Sequence, residues 1–267
     1  MRSLDEIRAM LLGTGELRQN IVRSLGSSTV ALFAVFDDHG TDLLKLVGSG
    51  SLVIIDGFHY ILTAAHVWEY IQSAVRLGIT LTDNISHKHL IDVAAIVPTT
   101  LKPDASAWNE WGPDLALLRI PSEHIGGIKA FLVFEDVKAP PRPLNVECLE
   151  GWVVMGTPGE LGTFTQIHAD VQITGRFVEP QPQDHGEYDY FDFEMDSSSP
   201  GMPRSWGGVS GGGLWRVLVY DSPETGKIDW AQRLKGVPFW EFPIKNGYRV
   251  VRSHGSKSIG AMAGLLG

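Results

Sequence analysis

Gly50-Ser-Leu-Val-Ile-Ile-Asp-Gly-Phe-His-Tyr-Ile-Leu-Thr63 contains two short β-rich runs, Gly50–Ile55 and Tyr60–Thr63, with Asp56 and Gly57 between them. Val and Ile suit a pleated surface, whereas Asp and Gly interrupt one, so the stretch reads as strand, turn, strand. The same pattern extends in both directions. Ser28–Phe36 and Leu43–Val47 precede it, and Ile79–Leu81, Leu90–Ile96 and Leu115–Leu118 follow. Strand signals resume at Cys148–Gly156, Thr163–Thr174, Tyr190–Glu194, Gly213–Tyr220, Arg233–Trp240 and Tyr248–Arg252. Gln181–Tyr188 reads as a polar, acidic loop and Asp221–Gly226 as a hairpin turn.

Helical spacing is confined to a few places. Leu4, Ile7, Met10 and Leu11, then Leu17, Ile21, Val22 and Leu25, recur at helical intervals on either side of Gly13-Thr14-Gly15. Ser3, with Glu6 three residues on, has the form of a capping box. Residues 66–76 suit a short helix, and the tail Lys257–Leu266 a helix weakened by Gly260 and Gly264. Val137–Leu144 holds three prolines in eight residues and cannot sustain a helix or a central strand. It reads as a connector, giving an N-terminal helical extension (1–27), a first β-rich half (28–136), a connector (137–146), a second half (147–256) and a tail (257–267). Two β-rich halves with frequent turns imply paired antiparallel barrels or sandwiches, an all-β fold class.

Composition narrows the function classes. The chain has 267 residues, 43% of them apolar and 20% charged, which supports a folded core. Lys and Arg number 22 against 31 Asp and Glu, a formal charge of −9, which argues against nucleic-acid binding. The single cysteine, Cys148, excludes an intramolecular disulfide and a Cys-only metal site and suits a reducing compartment. No signal-like h-region or membrane-length apolar run is present, so a soluble, cytoplasmic protein without a membrane partner is expected.

Three segments carry reactive residues: Leu62-Thr-Ala-Ala-His66-Val67, Gly112-Pro-Asp114-Leu-Ala-Leu-Leu118 and Gly207-Gly-Val-Ser210-Gly-Gly-Gly-Leu-Trp215. A serine hydroxyl is a poor nucleophile and needs a base for its proton and donors for the developing oxyanion. An imidazole, with an ordinary pKa of about 6.5, serves as base and then acid. A carboxylate fixes its tautomer and stabilises the imidazolium. Glycines around Ser210 let the backbone N–H groups of Gly208 and Ser210 approach a carbonyl. Singly, each segment has an ordinary explanation: a satisfied histidine, a capping Asp, a Gly-rich turn. Together, in the order His, Asp, Ser with separations of 48 and 96 residues, they point to nucleophilic acyl transfer. That chemistry requires no metal and no cofactor.

At these residues the chain resembles the trypsin-like (chymotrypsin-fold) serine proteases. Thr63-Ala-Ala-His66, Asp114-Leu-Ala-Leu-Leu118 and Gly208-Val-Ser210-Gly-Gly212 are similar to that family's histidine, aspartate and serine motifs. Gly48-Ser-Gly-Ser-Leu-Val-Ile-Ile55 resembles the strand before its histidine. Val153-Val-Met-Gly-Thr-Pro158 resembles the start of the second barrel in bacterial, intracellular members such as the high-temperature-requirement proteases. Gly236-Val-Pro-Phe-Trp240 resembles the strand that pairs with substrate backbone. The resemblance spans about residues 28–252 and implies two antiparallel six-stranded β-barrels with the site between them. It also implies a serine endopeptidase with catalytic His66, Asp114 and Ser210 and an oxyanion hole from Gly208 and Ser210, acting on protein or peptide.

The chain departs from that pattern in places. Val209 stands where secreted members have the Asp that pairs with a new N-terminus, so activation by that ion pair is not expected. Phe239 replaces a small polar residue and implies a drier surround for Asp114. Arg204, near the implied pocket floor, favours acidic substrate residues, whereas Glu241 beside Trp240 narrows the pocket or attracts basic ones. The cues conflict, and both residues, with Trp240, stand as candidate substrate contacts.

Other features have plainer readings. His87-Lys-His89 reads as a surface loop rather than a metal site, and Cys148 as a buried thiol. His254 reads as structural. Gly156–Gly162 lacks the Lys-Ser/Thr of a phosphate loop. Residues 3–25 read as a strap over a sheet, with contact to a regulatory partner or a second copy as the alternative. The competing functional readings are a catalytically silent or partner-activated trypsin-like module that binds or regulates proteins, and an esterase.

Overall fold

The computed structural model describes residues 2–12, 15–81, 87–103, 108–140, 145–161, 163–164, 169–197 and 203–266. The chain is mostly β, 47% strand against 22% helix, and the strands form two antiparallel sheets. The first contains β1 (Thr29–Asp38), β2 (Thr41–Ile55), β3 (Phe58–Thr63), β4 (Arg76–Thr80), β5 (Lys88–Asp92), β6 (Val97–Leu101) and β7 (Leu115–Arg119). Its order is β5-β4-β1-β2-β3-β7-β6, and the two-residue β8 (Glu135–Asp136) adds to β2 in parallel. The second half begins with β9 (Cys148–Gly156), followed by a minimal hairpin of β10 (Thr163–Phe164) and β11 (Ala169–Asp170). Then come β12 (Thr174–Val178), β13 (Gln181–His185), β14 (Tyr188–Asp196), β15 (Gly213–Asp221), β16 (Ile228–Glu241) and β17 (Tyr248–His254). The second sheet runs β12-β9-β15-β16-β17-β14-β13. Among the described residues both hydrogen-bonded paths are open.

The continuous apolar runs in the sequence reflect strands buried on both faces. Leu52, Ile61, Ala116 and Leu118 point into a cluster inside the first sheet with Val30, Ile79 and Ile91. Their chain neighbours Val53, Leu62, Leu115 and Leu117 point the other way, into a second cluster with Met155, Trp215 and Val217 of the second sheet. Successive side chains alternate across a strand, so LVII, YIL and LALL supply two cores at once.

Three helices close that second cluster. α1 (Leu4–Leu12) contributes Ile7 and Leu11, α2 (Glu16–Gly26) Ile21 and Leu25, and the C-terminal helix Ser256–Gly264 contributes Ile259 and Met262. Each fully buried Ile or Leu is worth about 1.5–3 kcal/mol, so the apolar face of the N-terminal extension is committed to the chain's own sheet. The capping box forms: Ser3 N–H donates to Glu6 Oε2 at 2.7 Å and Glu6 N–H donates to Ser3 Oγ at 3.3 Å. These Ser3 hydrogen bonds hold the Glu6 carboxyl below its ordinary range. Among the described residues, no helix is long and apolar enough to cross a membrane.

Several boundaries differ from expectation. Leu43–Val47 and Gly50–Ile55 form one fifteen-residue strand. Leu90–Ile96 divides into the end of β5 and a short 3-10 turn, and stops before β6. Gln181–Tyr188 is not a loop but the hairpin joining β13 to β14, with Gln181 paired to Asp192 and His185 to Tyr188. The helices named in chain order are completed by α3 (Ala65–Ile71), α4 (Ser122–Lys129) and α5 (Ser256–Gly264), of which α4 had no counterpart in the sequence reading. Gly13, Thr14, connector residues 141–144 and parts of the expected Thr163–Thr174 strand lie outside the described residues.

Candidate active site

His66 and Asp114 meet because their strands are neighbours. β3 and β7 are antiparallel with Thr63 opposite Ala116, so the chain just past β3 and the chain just before β7 emerge at the same edge. There His66 Nδ1 lies 2.6 Å from Asp114 Oδ2, and the His66 backbone N–H donates to Asp114 Oδ1 at 3.0 Å. The Asp114 side chain is 3% exposed and that of His66 35%, so the carboxylate is dry while the imidazole reaches the surface. A carboxylate opposite Nδ1 requires the proton there and leaves Nε2 as an acceptor. Trp108 meets the His66 ring edge-on, with centroids 5.9 Å apart.

Ser210 arrives from the second sheet, on the turn before β15. Its carbonyl accepts from Ser49 N–H at 2.9 Å, and the next N–H, Gly211, donates to Pro238 O at 2.7 Å. A Cβ on Gly211 would lie 2.0 Å from Thr63 Oγ1 and 3.0 Å from Ala64 N, so only glycine lets this turn lie against the strand end that carries His66. Ser210 is half-buried, and no hydrogen bond joins its hydroxyl to His66 among the described residues. Such contacts are often long without substrate and tighten in the complex.

The backbone of the turn is specifically arranged. The N–H groups of Gly207, Val209, Gly211 and Gly212 donate to Ser205 Oγ, Trp206 O, Pro238 O and Val209 O. Those of Gly208 and Ser210 donate to no described residue. Their directions follow from peptide planarity, since an N–H points opposite to the carbonyl of the same peptide. Gly207 O is held by Gly159 N–H at 2.8 Å and Val209 O by Gly212 N–H at 2.9 Å, so the two unpaired N–H groups point away from those contacts. Gly208 has φ +94°, a conformation that L side chains rarely adopt.

Ser49 holds this arrangement from the first sheet, a role the sequence did not reveal. It is fully buried, its hydroxyl donates to Gly208 O at 2.6 Å and accepts from Thr157 N–H at 2.8 Å, and its carbonyl accepts from Thr63 Oγ1 at 2.7 Å. Val209, 2% exposed, anchors the turn from inside against Val154, Trp206 and Leu214, an apolar contact in the place of an ion pair.

Beneath Asp114 lies an aromatic floor. The Asp114 backbone N–H donates to His254 Nε2 at 3.0 Å, and Phe239 stacks on the His254 ring at 4.3 Å. Burial pushes the His254 imidazole down to about 3, so it stays neutral and accepts. Tyr190, whose phenol burial raises to about 12, donates to the Trp111 carbonyl. Arg252, 5% exposed, lies 3.8 Å over the Trp111 ring, makes paired bonds to Asp192 at 2.6 and 2.7 Å and donates to Glu110 O at 3.1 Å. The segment leading into Asp114 is therefore pinned at Glu110, Trp111 and Asp114. The dry surround expected from Phe239 is present.

The candidate substrate contacts are placed differently. Arg204 is exposed, because Glu160 takes the backbone N–H groups of Arg204 and Ser205 at 2.7 and 3.1 Å and keeps that segment at the surface. Arg204 therefore lies at the surface rather than within a closed pocket. Glu241 accepts from Ser205 Oγ at 3.1 Å and Trp206 N–H at 3.0 Å, and Arg249 Nε lies 2.6 Å away, so its charge is already countered. Trp240 packs half-buried on the first cluster, as do Trp108 and Trp111. Residues 198–202 of the loop before Arg204 lie outside the described residues.

Other singled-out residues also find places. Cys148 is half-exposed rather than buried. His89 is on β5, not in a loop, and its Nε2 lies 2.9 Å from His124 Nδ1 on α4. Among the described residues no group of three or more His, Cys, Asp or Glu is placed to hold a metal ion. No protein-family model matches the chain, and no curated protein matches it.

Proposed function

We propose that the chain is a serine endopeptidase of the trypsin-like type, cleaving peptide bonds through an acyl-enzyme. One observation carries the proposal. Three segments distant in sequence converge on one edge: a His–Asp pair at 2.6 Å, and against its strand a glycine turn bearing Ser210. Ser210 Oγ attacks the scissile carbonyl as its proton passes to His66 Nε2, and Asp114 stabilises the imidazolium. The carbonyl oxygen gains negative charge within reach of the Gly208 and Ser210 N–H groups. His66 returns the proton to the leaving amine, and a water activated by His66 releases the acid.

The barrel architecture belongs to the same proposal. Core side chains from β1, β2, β3, β4, β5 and β7 share one cluster, which favours a strongly curled first sheet. In the second, β12 and β14 approach across the open end of the path, with a cavity of about 1120 Å³ lined by Trp152, Phe177, Phe193 and Trp206 between them. Each sheet is then a barrel, with a domain division near the proline-rich connector. The single cysteine accords with an intracellular setting.

The test is hydrolysis of a diverse unstructured peptide library, read as new N-termini by mass spectrometry. Wild type is expected to generate cleavages that Ser210→Ala does not. Identical product sets from the two proteins overturn the proposal. Ester hydrolysis without peptide hydrolysis replaces endopeptidase with esterase.

A further inference from the structure

The chain is acidic overall, yet one cavity is charged with a single, positive sign. It lies between α2 and β12, has a volume of about 600 Å³ and presents Arg18 and Arg23 from the helix and Arg176 from the strand. Among the described residues no carboxylate lines it, whereas the adjoining cavity that Arg18 and Arg176 share carries Glu150, Glu179, Asp192, Glu194 and Asp196. Among the described residues none of the three arginines has an ion pair, although carboxylates outnumber cations 31 to 22 in the chain. The Nε atoms of Arg18 and Arg176 are buried without a hydrogen-bond partner. Buried guanidinium N–H groups left unpaired carry a desolvation cost that a bound acceptor would relieve.

The cavity wall orients Arg18, while Arg23 is exposed at the rim and donates to Asn20 Oδ1 at 3.2 Å. Arg18 lies over the Phe177 ring, 5.3 Å from its centroid, which orients the guanidinium and screens one face from water. Gly175 lets the helix and strand approach closely: a Cβ there would lie 2.6 Å from Met155 Sδ and 2.7 Å from Val22 Cγ1. Glu150, on the neighbouring strand, is engaged by Arg216 at 2.5 Å and does not compensate the group.

We propose that this groove binds a phosphoryl anion with several oxygens, a diphosphate or a phosphate monoester. The forks of Arg18 and Arg176, with the remaining donors of Arg23, offer more N–H groups than one carboxylate can accept, whereas a diphosphate supplies enough acceptors. The volume falls in the range of small-molecule sites. Because Arg18 and Arg23 belong to the helical extension and Arg176 to the second sheet, the bound anion ties the two together. None of the lining residues belongs to the segments bearing His66, Asp114 or Ser210, and the proposal does not depend on the proposed protease chemistry.

The test is isothermal titration calorimetry of the full-length protein with sodium pyrophosphate, at ionic strength held constant with chloride. Wild type is expected to bind saturably at one site. Arg18→Gln and Arg176→Gln are each expected to weaken binding about tenfold, the scale of one charge-assisted hydrogen bond. A double variant that binds as wild type does, with unchanged circular dichroism, overturns the proposal. A second readout needs no variant: the wild-type unfolding midpoint is expected to rise with pyrophosphate concentration as mass action requires. A midpoint that follows ionic strength alone overturns the site.

Discussion

Replacing Asp114 with Asn isolates what the buried carboxylate does. In the wild type, one oxygen accepts the His66 backbone N–H at 3.0 Å and the other faces Nδ1 at 2.6 Å. The amide of Asn has a single acceptor. If its oxygen keeps the backbone bond, its NH2 faces Nδ1, and the ring proton moves to Nε2. All groups are then satisfied, so the fold and its unfolding midpoint should change little, but Nε2 no longer accepts the serine proton. Restoring the active tautomer sets Nδ1–H against NH2 in a dry site, at a cost of about 1–3 kcal/mol. The imidazolium also loses a charge partner worth about 4 kcal/mol at charge separations of about 4 Å near a protein surface. Together these give about 5–7 kcal/mol, or a fall in kcat/KM of about four to five powers of ten. The assay is ester hydrolysis under single-turnover conditions, with the unfolding midpoint measured alongside. A folded Asp114→Asn protein within tenfold of wild type would refute the reasoning.

Three further perturbations test the supports. Gly208→Ala places a Cβ 2.5 Å from Thr157 O and 2.9 Å from Gly159 N in a left-handed conformation. It should shift the turn and lower kcat by about 10²–10³ in steady-state assays, the scale of a lost oxyanion donor. Ser49→Ala removes the partner of Gly208 O and Thr157 N–H, and should cost about 1–3 kcal/mol in denaturant unfolding and reduce kcat more than it raises KM. A third perturbation is acidification. His254 is neutral in the fold, with its pKa depressed to about 3, and titrates normally when unfolded. The unfolded chain therefore binds the proton first. The contribution of His254 is complete above about pH 6.5 and is lost towards pH 3, by about 1.4 kcal/mol per pH unit. Denaturant unfolding between about pH 6 and pH 4 should show that slope in wild type, and a smaller one in His254→Gln.

How much was legible from sequence depended on how local the cause was. Val53, Leu62 and Leu117 announced a buried strand because each sits in an apolar run. Gly48 was misleading: it separated two apparent strands, but its role is close approach, since a Cβ there would lie 2.7 Å from Val67 and 3.0 Å from Ser210 O. β13 was unreadable, because every residue from Gln181 to His185 is exposed and only backbone pairing makes it a strand. The helix α4 was hidden by Gly126 and Gly127 and buries only Ile128; Gly127 leaves room for His89, whose Cε1 would lie 3.2 Å from a Cβ. His66, Asp114 and Ser210 stood out through their short motifs. Ser49 and Arg252 did not, and His254 was read as structural without its link to Asp114, because the partners concerned lie 60 to 159 residues away in the chain. The placement of Arg204 and Glu241 was illegible for a related reason. Glu160 and Arg249 decide where those side chains go, and neither contact can be read from local sequence.

The central claim is that Ser210 is an activated nucleophile. Its most direct test is fluorophosphonate labelling of wild type, Ser210→Ala and Asp114→Asn, with the modified peptide mapped by mass spectrometry. The account predicts one adduct, on Ser210, absent from Ser210→Ala and formed far more slowly in Asp114→Asn. An unlabelled wild type, or an adduct on another residue that persists in Ser210→Ala, would contradict it.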